Sequence, residues 1–361
     1  MNKESGHNDG ILPAQDLAKL IADGHVHARS SSEPMLGRAF EPEIEAGQIQ
    51  PASLDLRLGT KAYRLRASFL PGQKSNGQGR KVTDCLDQHL VMHEIDLTNG
   101  AVLETGCVYL VPLMEGLQLP RDLSARTNPK SSTGRLDVFT RVIADGASQF
   151  ETIEPGYAGP LYVEIAPRTF SVLARPGDRL VQIRFRRGVE KILKSQTVSI
   201  DLKGESADGI IGWRARRHSG LVDIAGVDAH KALDYWQPLS APNGRLILDP
   251  EEFYILASKE SVTIPEDQAA EMAPIAPEIG EFRAHYAGFF DPGFGLKQAG
   301  GAGSRAVLEV RGRDVPFMLR HGQAVAKLDF EAMSAVPDDL YGTNGSHYQA
   351  QGLRLSKHFK L

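Results

Sequence analysis

The pattern of hydrophobic and polar positions along the 361-residue chain favours short strands over helices. Between Ala101 and Phe185, short apolar runs alternate with turn residues, and only one short helical candidate lies among them. This spacing is typical of an antiparallel barrel or sandwich. A helix is predicted over Ile11 to Ala22, where Leu17, Leu20 and Ile21 recur at helical spacing.

A half-buried strand is predicted around Asp55. Leu54, Leu56 and Leu58 alternate there with Asp55 and Arg57, and a period of two places the three leucines on one face of a strand. The chain also contains 36 Gly and 21 Pro residues, which indicates many turns and a strand-rich fold.

The second half of the chain repeats the first. Val108-Tyr109-Leu110 recurs 145 positions later as Phe253-Tyr254-Ile255. Most other segments recur 144 or 145 positions later: Gly100 to Glu104 as Gly244 to Leu248, Leu119 to Asp122 as Ile264 to Asp267, Tyr162 to Ile165 as Val307 to Val310, and Gly177 to Phe185 as Gly322 to Phe330. Pro155 to Tyr157 recurs 137 positions later as Pro292 to Phe294, before an insertion near Lys297 to Ser304. Chance does not hold one register over so many positions, so we predict a tandem duplication of one β domain.

The repeat provides an internal comparison for one polar loop, residues 130–135 (Lys-Ser-Ser-Thr-Gly-Arg), which we call the serine loop. At the same offset its polar residues fall on apolar or small ones: Lys130 on Ile275, Ser131 on Ala276, Ser132 on Pro277 and Arg135 on Gly280. A turn that served only folding would be kept in both copies. We therefore interpret the serine loop as functional, and the second copy as structural or as a lid or partner for the first.

Composition narrows the class of protein. Hydrophobic residues make up 41% and charged residues 24%, as in soluble globular proteins, and a net charge of −4 gives no electrostatic footprint for nucleic acid. Apolar runs are too short for a membrane span, and the polar N-terminus is unlike a signal peptide. Cys85 and Cys107 are isolated in sequence, so a disulfide framework is not indicated and a cytoplasmic location is expected.

The serine loop combines groups that suit phosphate oxygens: backbone N–H groups of small residues, two serine hydroxyls, and the cations Lys130 and Arg135. Downstream, Glu164 is flanked by Val163 and Ile165 in an apolar strand, which makes it a candidate general base. The residue types alone also fit a polar turn followed by an amphipathic strand.

These residues make the sequence resemble the dCTP deaminase and dUTPase superfamily, specifically the long, duplicated dCTP deaminases of bacteria. The segments that carry the resemblance are residues 50–59 (Gln-Pro-Ala-Ser-Leu-Asp-Leu-Arg-Leu-Gly), 131–136 (Ser-Ser-Thr-Gly-Arg-Leu), 153–159 (Ile-Glu-Pro-Gly-Tyr-Ala-Gly), 161–164 (Leu-Tyr-Val-Glu), 175–182 (Arg-Pro-Gly-Asp-Arg-Leu-Val-Gln) and, more faintly, Tyr341 with residues 347–352. Each segment is modest, but their order and spacing make the set specific.

The resemblance implies a mainly β fold of two tandem dUTPase-like, distorted and jelly-roll-like β-barrels with a few short helices. The expected division is a disordered tail over residues 1–10, a first barrel with the active-site motifs over 11–190, a linker over 191–218, a degenerate second barrel over 219–335, and a C-terminal tail over 336–361 that closes over the active site.

The implied reaction is hydrolytic deamination of dCTP to dUTP and ammonia, which supplies precursors of dUMP and dTTP. By resemblance, Glu164 takes a proton from water and passes it to N3 and the leaving amine, Ser131 positions the water or the base, and Arg135 holds the developing charge. Substrate-binding roles are implied for Lys130, Ser132, Thr152, Ile153, Glu154, Tyr157, Gln182, Tyr341, His347 and Gln351. Tyr157 fits a core position equally well.

Three positions depart from the family pattern. Glu154 stands where aspartate is usual, Thr152 stands where arginine is common, and His347 replaces a usual lysine. A histidine there would be only partly charged near neutral pH. Because of these departures, the resemblance predicts the reaction class better than it predicts the exact substrate contacts.

The resemblance also implies partners. Mg²⁺ is expected only through the triphosphate of dCTP, dTTP is an expected inhibitor with no residue assigned to it, and chains are expected to form trimers with sites between neighbouring subunits. We expect neither nucleic-acid nor membrane partners. A zinc deaminase needs His-x-Glu and Pro-Cys-x-x-Cys, which two isolated cysteines do not supply, so no zinc is expected.

Alternatives remain at this point. The same barrel could act as a dUTP pyrophosphatase, alone or with deamination, or as a non-catalytic nucleotide-binding regulator. A different site is also open, in which Glu309 or Asp291 of the second copy completes a site with the serine loop. Glu164 is preferred because it has its own loop in the same copy.

Overall fold

A computed structural model describes residues 8–29, 43–204, 209–274, 282–285, 288–301, 303–343 and 348–361. Its helices are α1 (Ala14–Ala22), α2 (Ser131–Gly134) and α3 (Ala232–Tyr235), with 3-10 turns at Ala46–Gln48, Val82–Cys85, Pro242–Gly244 and Lys297–Ala299. The remaining elements are short strands, which confirms the mainly β prediction. None of the helices in these described ranges is long and apolar enough to cross a membrane.

The strands of the first half are β1 (Gly10–Ile11), β2 (Val26–Ala28), β3 (Ile49–Gln50), β4 (Ser53–Leu56), β5 (Lys61–Leu65), β6 (Val91–Asp96), β7 (Ala101–Leu103), β8 (Val108–Gln118), β9 (Leu123–Pro129), β10 (Val138–Ala144), β11 (Thr152–Ile153), β12 (Ala158–Pro167), β13 (Val172–Ala174) and β14 (Val181–Arg187). One sheet has the order β11-β9-β14-β4-β3, and a second has the order β10-β12-β8-β5-β6. Strands β7 and β13 form a smaller pair.

The strands that follow are β15 (Ile192–Ser199), β16 (Gly212–Ala215), β17 (Val222–Asp223), β18 (His230–Lys231), β19 (Trp236–Leu239), β20 (Arg245–Leu248), β21 (Phe253–Val262), β22 (Gln268–Ala273), β23 (Phe282–His285), β24 (Phe289–Phe290), β25 (Ser304–Gly312), β26 (Phe317–Arg320), β27 (Ala324–Ala332) and β28 (Phe359–Lys360). They form sheets of order β24-β22-β27-β15 and β19-β16-β21-β25-β23, with β20 paired to β26.

The two halves have the same strand order. The path β11-β9-β14-β4 corresponds to β24-β22-β27-β15, the path β10-β12-β8-β5 to β23-β25-β21-β16, and the pair β7-β13 to β20-β26. A shared order is what a duplication would produce, although the duplication itself stays a prediction. The counterparts of the serine loop, residues 275–280, lie outside the described residues.

The strand β25 joins the two halves. Leu308 and Val310 point into a core within the second half, whereas Val307 belongs to a large core that contains residues of both halves. Side chains alternate along a strand, so Val307, Glu309 and Arg311 all face the first half. The functional cavity lies along this face.

Two predicted elements differ from expectation. The strand at Asp55 is buried on both faces, with Asp55 1% and Arg57 2% exposed, because ion pairs satisfy the two charges: Asp55 accepts from Lys130, and Arg57 Nε lies 2.7 Å from Glu115 Oε1. Helix α1 begins at Ala14 and not at the predicted Ile11, because Ile11 lies in strand β1 and Pro13 precedes the first turn; Leu17 and Leu20 of the helix are buried.

The segment 191–218, expected as a linker, contributes strands to the second half. Strand β15 pairs with β27, and β16 lies between β19 and β21. The sequence of β15 does not show the alternation of a strand, because most of its residues are exposed at a sheet edge. Residues 1–7 of the expected N-terminal tail lie outside the described residues.

Candidate active site

The serine loop makes a tight turn between β9 and β10. Residues 131–134 form helix α2, and the Thr133 hydroxyl donates to the Leu180 carbonyl oxygen at 2.8 Å. The carbonyl oxygen of Ser132 accepts a hydrogen bond of 2.8 Å from the Ser356 hydroxyl. Because these bonds hold the loop from two sides, Ser131 and Ser132 reach a cavity on the side of the second half.

Arg135 is oriented by the C-terminal segment, residues 348–361. Its Nη1 donates to the Arg354 carbonyl oxygen and its Nη2 to Gln351 Oε1, both at 3.1 Å. The guanidinium carbon lies 4.0 Å from the centre of the Tyr348 ring, a cation–π contact. These contacts leave Arg135 Nε facing Glu309 of β25, with 3.7 Å between Nε and Oε1.

Glu309 is a buried carboxyl group at the cavity wall. It is 2% exposed, and burial raises its pKa to about 8 against the opposite effect of the Arg135 cation. The second oxygen, Oε2, has no hydrogen-bond partner among the described residues. A buried carboxyl group with a raised pKa and an unused oxygen is suited to proton transfer.

Cations line the other side of the cavity. Lys130 donates to Asp55, and Lys357 of the C-terminal segment lies close enough to affect both. Burial lowers the pKa of Lys357, the Lys130 cation lowers it further, and Asp55 opposes them. Two lysines around one carboxylate leave a surplus of positive charge, which suits phosphate oxygens.

Asp291 is the second carboxyl group that the second half contributes to the cavity. Arg184 of β14 donates to Asp291 Oδ1 at 2.9 Å, and its guanidinium carbon lies 4.0 Å from the centre of the Phe289 ring. Burial raises the pKa of Asp291, while Arg184 lowers it. This pair ties the second half to the barrel wall of the first.

The cavity has a volume of about 530 Å³ and is built from both halves and the C-terminal segment. The first half contributes Asp55, Lys130, Ser131, Ser132, Arg135 and Gln182; the second half contributes Gly288, Phe289, Asp291, Val307 and Glu309; residues near the end of the chain contribute Tyr341, Tyr348, Gln351 and Lys357. The close approach of the halves depends on Gly288, where an added Cβ would lie 3.0 Å from the Pro129 carbonyl oxygen and 3.3 Å from Ser131 Oγ.

Many of the residues predicted for the site meet in this cavity: Lys130, Ser131, Ser132, Arg135, Gln182, Tyr341 and Gln351. Others do not line it: Thr152, Ile153, Glu154, Tyr157 and Glu164. The predicted contact His347 lies outside the described residues.

The predicted base Glu164 does not join the serine loop within this chain. Its Oε1 accepts hydrogen bonds of 3.1 and 2.6 Å from Arg141, the residue opposite it on β10. Arg141 is held in turn between the rings of Phe139 and Phe150, at 4.8 and 3.7 Å from their centres. Within one chain, therefore, the structure does not bring Glu164 to the cavity that the serine loop lines.

The turn around Glu154 is also separate from the cavity. Ile153 lies in the core of the first half, and Glu154 is exposed. The Tyr157 hydroxyl donates to the Pro160 carbonyl oxygen at 2.6 Å and accepts from the Asp145 N–H, and burial raises its pKa. Tyr157 thus closes its own turn, and Thr152 contacts the Phe150 carbonyl oxygen at 3.4 Å.

The geometry instead favours the alternative in which Glu309 and Asp291 complete a site with the serine loop. The signal was present in the sequence, since the second half keeps Asp-Pro-Gly at 291–293 and Leu-Glu-Val at 308–310. Lys357 and Arg354 were not predicted, and no motif marks them, whereas Tyr348 lies in the predicted tail segment 347–352 but was assigned no role. In the part of the chain that the structure describes, no cluster of three or more His, Cys, Asp and Glu residues could hold a metal ion.

Comparisons with known proteins identify the family of the chain. The model of the 2′-deoxycytidine 5′-triphosphate deaminase N-terminal domain matches residues 8–189, and the model of the corresponding C-terminal domain matches residues 178–359. Each match covers half of the chain. The chain belongs to the dCTP deaminase family. The prediction that it is an enzyme of this family is confirmed.

Relatives and a solved structure extend the comparison. The chain is 29% identical over 174 residues to a "dCTP deaminase, dUMP-forming" of Pseudarthrobacter chlorophenolicus, covering 46% of this chain and 80% of the relative. It is 31% identical over 182 residues to a "dCTP deaminase" of Natronomonas pharaonis, covering 48% and 79%. The crystal structure of a 2′-deoxycytidine 5′-triphosphate deaminase from Agrobacterium tumefaciens aligns with a TM-score of 0.83 and 50% identity, covering 93% of this chain and 99% of that one.

Proposed function

We propose that this chain converts dCTP and water to dUTP and ammonia in the cavity between its two halves, with Glu309 as the catalytic carboxyl group. The observation that carries the proposal is the contact of Arg135 with Glu309, 3.7 Å apart, at a cavity that also contains Ser131. Family membership supplies the substrate class. The resemblance implies sites between neighbouring subunits, and here the two sides are supplied by the two halves of one chain.

The raised pKa of Glu309 supports a sequence of proton transfers. With a pKa of about 8, Glu309 carries a proton at neutral pH and can donate it to N3 of cytosine, which makes C4 more electrophilic. The carboxylate left beside Arg135 then takes a proton from the water that attacks C4. This proton passes to the amino group, which leaves as ammonia, and the new C4 hydroxyl returns its proton to Glu309. The rate should therefore fall above about pH 8.

The remaining cavity residues have binding roles in this proposal. Ser131 orients the base or the attacking water, and Lys130 with Lys357 offers positive charge to the triphosphate. We propose that dCTP arrives as its Mg²⁺ complex, so that the metal ion belongs to the substrate. Inhibition by dTTP, assembly as a trimer and a cytoplasmic location stay predictions.

Product analysis tests this function. Purified protein with dCTP and Mg²⁺ should release ammonia and dUTP in equal amounts, and EDTA should slow the reaction without recovery on adding zinc. Pyrophosphate with dUMP would indicate the bifunctional reaction, an outcome worth separating because the Pseudarthrobacter relative is named dUMP-forming. Binding of dCTP without turnover would contradict the proposal and support a regulator.

A further inference from the structure

A second ion pair joins the halves beside the active site. Arg311 Nη2 of β25 donates to Asp137 Oδ2 and, at 2.9 Å, to the Thr169 hydroxyl oxygen. The Thr169 hydroxyl itself donates to Asp137 Oδ2 at 2.5 Å. Asp137 is 0% exposed and Arg311 9% exposed, so this pair is buried between the halves. The proposed deamination chemistry makes no use of it.

The position of this pair relates it directly to the catalytic pair. Arg311 lies two residues after Glu309, on the same face of β25, and Asp137 lies two residues after Arg135 in the chain that leaves the serine loop. In the chain that leaves the serine loop, the positive Arg135 precedes the negative Asp137. On β25 the order is reversed, because the negative Glu309 precedes the positive Arg311. Sliding β25 by two residues would place Arg135 against Arg311, so the four charges are complementary in one register only.

The backbone of Asp137, just after the serine loop, is held in one conformation by hydrogen bonds. Its φ of 54° lies in the left-handed region, which aspartate and asparagine adopt more readily than most residues. Its backbone N–H donates to the Gly134 carbonyl oxygen at 2.9 Å, and its carbonyl oxygen accepts from the Arg168 N–H at 2.9 Å. A displacement of Arg311 relative to Asp137 is therefore passed to Arg135, since the turn between them is held by hydrogen bonds.

We infer that Asp137 and Arg311 form a positioning pair, which fixes β25 against the serine loop so that Arg135 and Glu309 act on one substrate. This inference rests on the proposed function, because it assigns the pair a purpose in that reaction. A buried pair of this kind contributes little net stability, since desolvation offsets much of the attraction. Its stronger effect is to set the geometry of the adjacent site.

Among the described side chains, Arg135 is the charged group that lowers the pKa of Glu309, so the titration of Glu309 reports this geometry. Arg135 approaches it from the loop, Ile255 lies opposite it on β21, and His285 is its register partner on β23. Burial raises the pKa of Glu309, and the Arg135 cation lowers it. If β25 moves away from the loop, the effect of Arg135 weakens and the pKa of Glu309 should rise.

The experiment compares pH profiles of kcat/KM for dCTP in the full chain. Asp137→Asn keeps the side-chain shape and tolerates the left-handed backbone, but it removes the charge. We expect kcat to fall about 10-fold, with a smaller change in KM, because misplacement by less than 1 Å already slows a reaction. We also expect the alkaline fall in rate to shift to higher pH. Arg311→Lys keeps the charge and should retain more of the wild-type profile than Arg311→Met.

An exposed ion pair away from the interface provides the control. Lys74 and Asp84 lie 2.9 Å apart with side chains 46% and 39% exposed, and Lys74→Met should leave both rate and pH profile unchanged. The inference is wrong if the rate of a folded Asp137→Asn or Arg311→Met variant falls at the same alkaline pH as that of the wild type. An inactive wild-type chain, or an active Glu309→Gln variant, would instead refute the proposed function itself.

Discussion

Two glutamates at corresponding positions of the two halves have different surroundings. Glu164 of β12 and Glu309 of β25 are 1% and 2% exposed, and each lies near an arginine. The arginine of Glu164 comes from the neighbouring strand β10, with its closest contact at 2.6 Å. The arginine of Glu309 comes from the other half of the molecule, at 3.7 Å.

The register explains this difference. The residue opposite Glu164 on β10 is Arg141, whereas the residue opposite Glu309 on β23 is His285. Among the described side chains, Arg135 of the serine loop is the positive partner of Glu309, and the two meet at a cavity. In the proposed site neither half is complete: the first contributes the loop, and the second contributes the carboxyl group placed against it.

We expect the largest effect from removing the carboxyl group of Glu309. Glu309→Gln should lower kcat for dCTP deamination by about 10²- to 10⁴-fold, because glutamine cannot transfer the proton. Glu164→Gln is the matched variant and should keep a rate close to wild type, provided that thermal melting shows it to be folded. Steady-state assays of released ammonia measure both. Equal losses in the two variants would mean that the halves are functionally equivalent.

Glu309 should also make the stability of the chain depend on pH. The pKa of Glu309 is raised to about 8 from an ordinary value of 4.5. Between these values the folded chain keeps a proton that the unfolded chain has lost, so stability falls as pH rises, by up to about 1.4 kcal/mol per pH unit. Below about 4.5 and above about 8 this contribution is constant.

Glu309→Gln removes this titration. The variant should gain stability relative to wild type as pH rises from about 5 to 8, measured by denaturant unfolding at a series of pH values. Glu164→Gln should instead lose stability at neutral pH, because Arg141 would keep a charge without its carboxylate. A stability difference for Glu309→Gln that does not change with pH would show that the carboxyl group is ionised throughout.

The smallest expected effect concerns the close approach of the halves. Gly288→Ala places a methyl group 3.0 Å from the Pro129 carbonyl oxygen and 3.3 Å from Ser131 Oγ, so β24 must move away from the loop. We expect KM for dCTP to rise by up to about 10-fold. Gly352→Ala, where an added Cβ has no neighbour within 4 Å, should leave KM unchanged. Equal KM values in both variants would mean that the gap at Gly288 does not matter for substrate.

Much of the fold could be predicted from the sequence because alternation and turn residues are local signals. The strands near Val108 and Phe253 and the helix at Leu17 follow from such patterns. The burial of Asp55 could not be predicted, because it depends on Lys130, which is distant in sequence. Strand β15 was missed because its exposed face carries no apolar pattern.

The site was predicted by residue type more successfully than by grouping. The serine loop, Gln182 and Gln351 were identified, and they do meet. Which glutamate faces Arg135 depends on how the halves dock, and no local pattern contains that information. Glu309 was a clue to this, because the second half keeps a glutamate there. The first half has Glu164 at the corresponding position, so the sequence did not decide between the two glutamates.

A crystal structure of the Glu309→Gln variant with dCTP tests the central claim most directly, because the substituted enzyme should hold its substrate unreacted. We expect cytosine N3 within hydrogen-bond distance, about 3 Å, of the side chain at position 309, with the base also against Ser131. The triphosphate should extend toward Lys130 and Lys357. A base bound against Glu164 and Arg141 instead, with the cavity between the halves empty, would contradict the account.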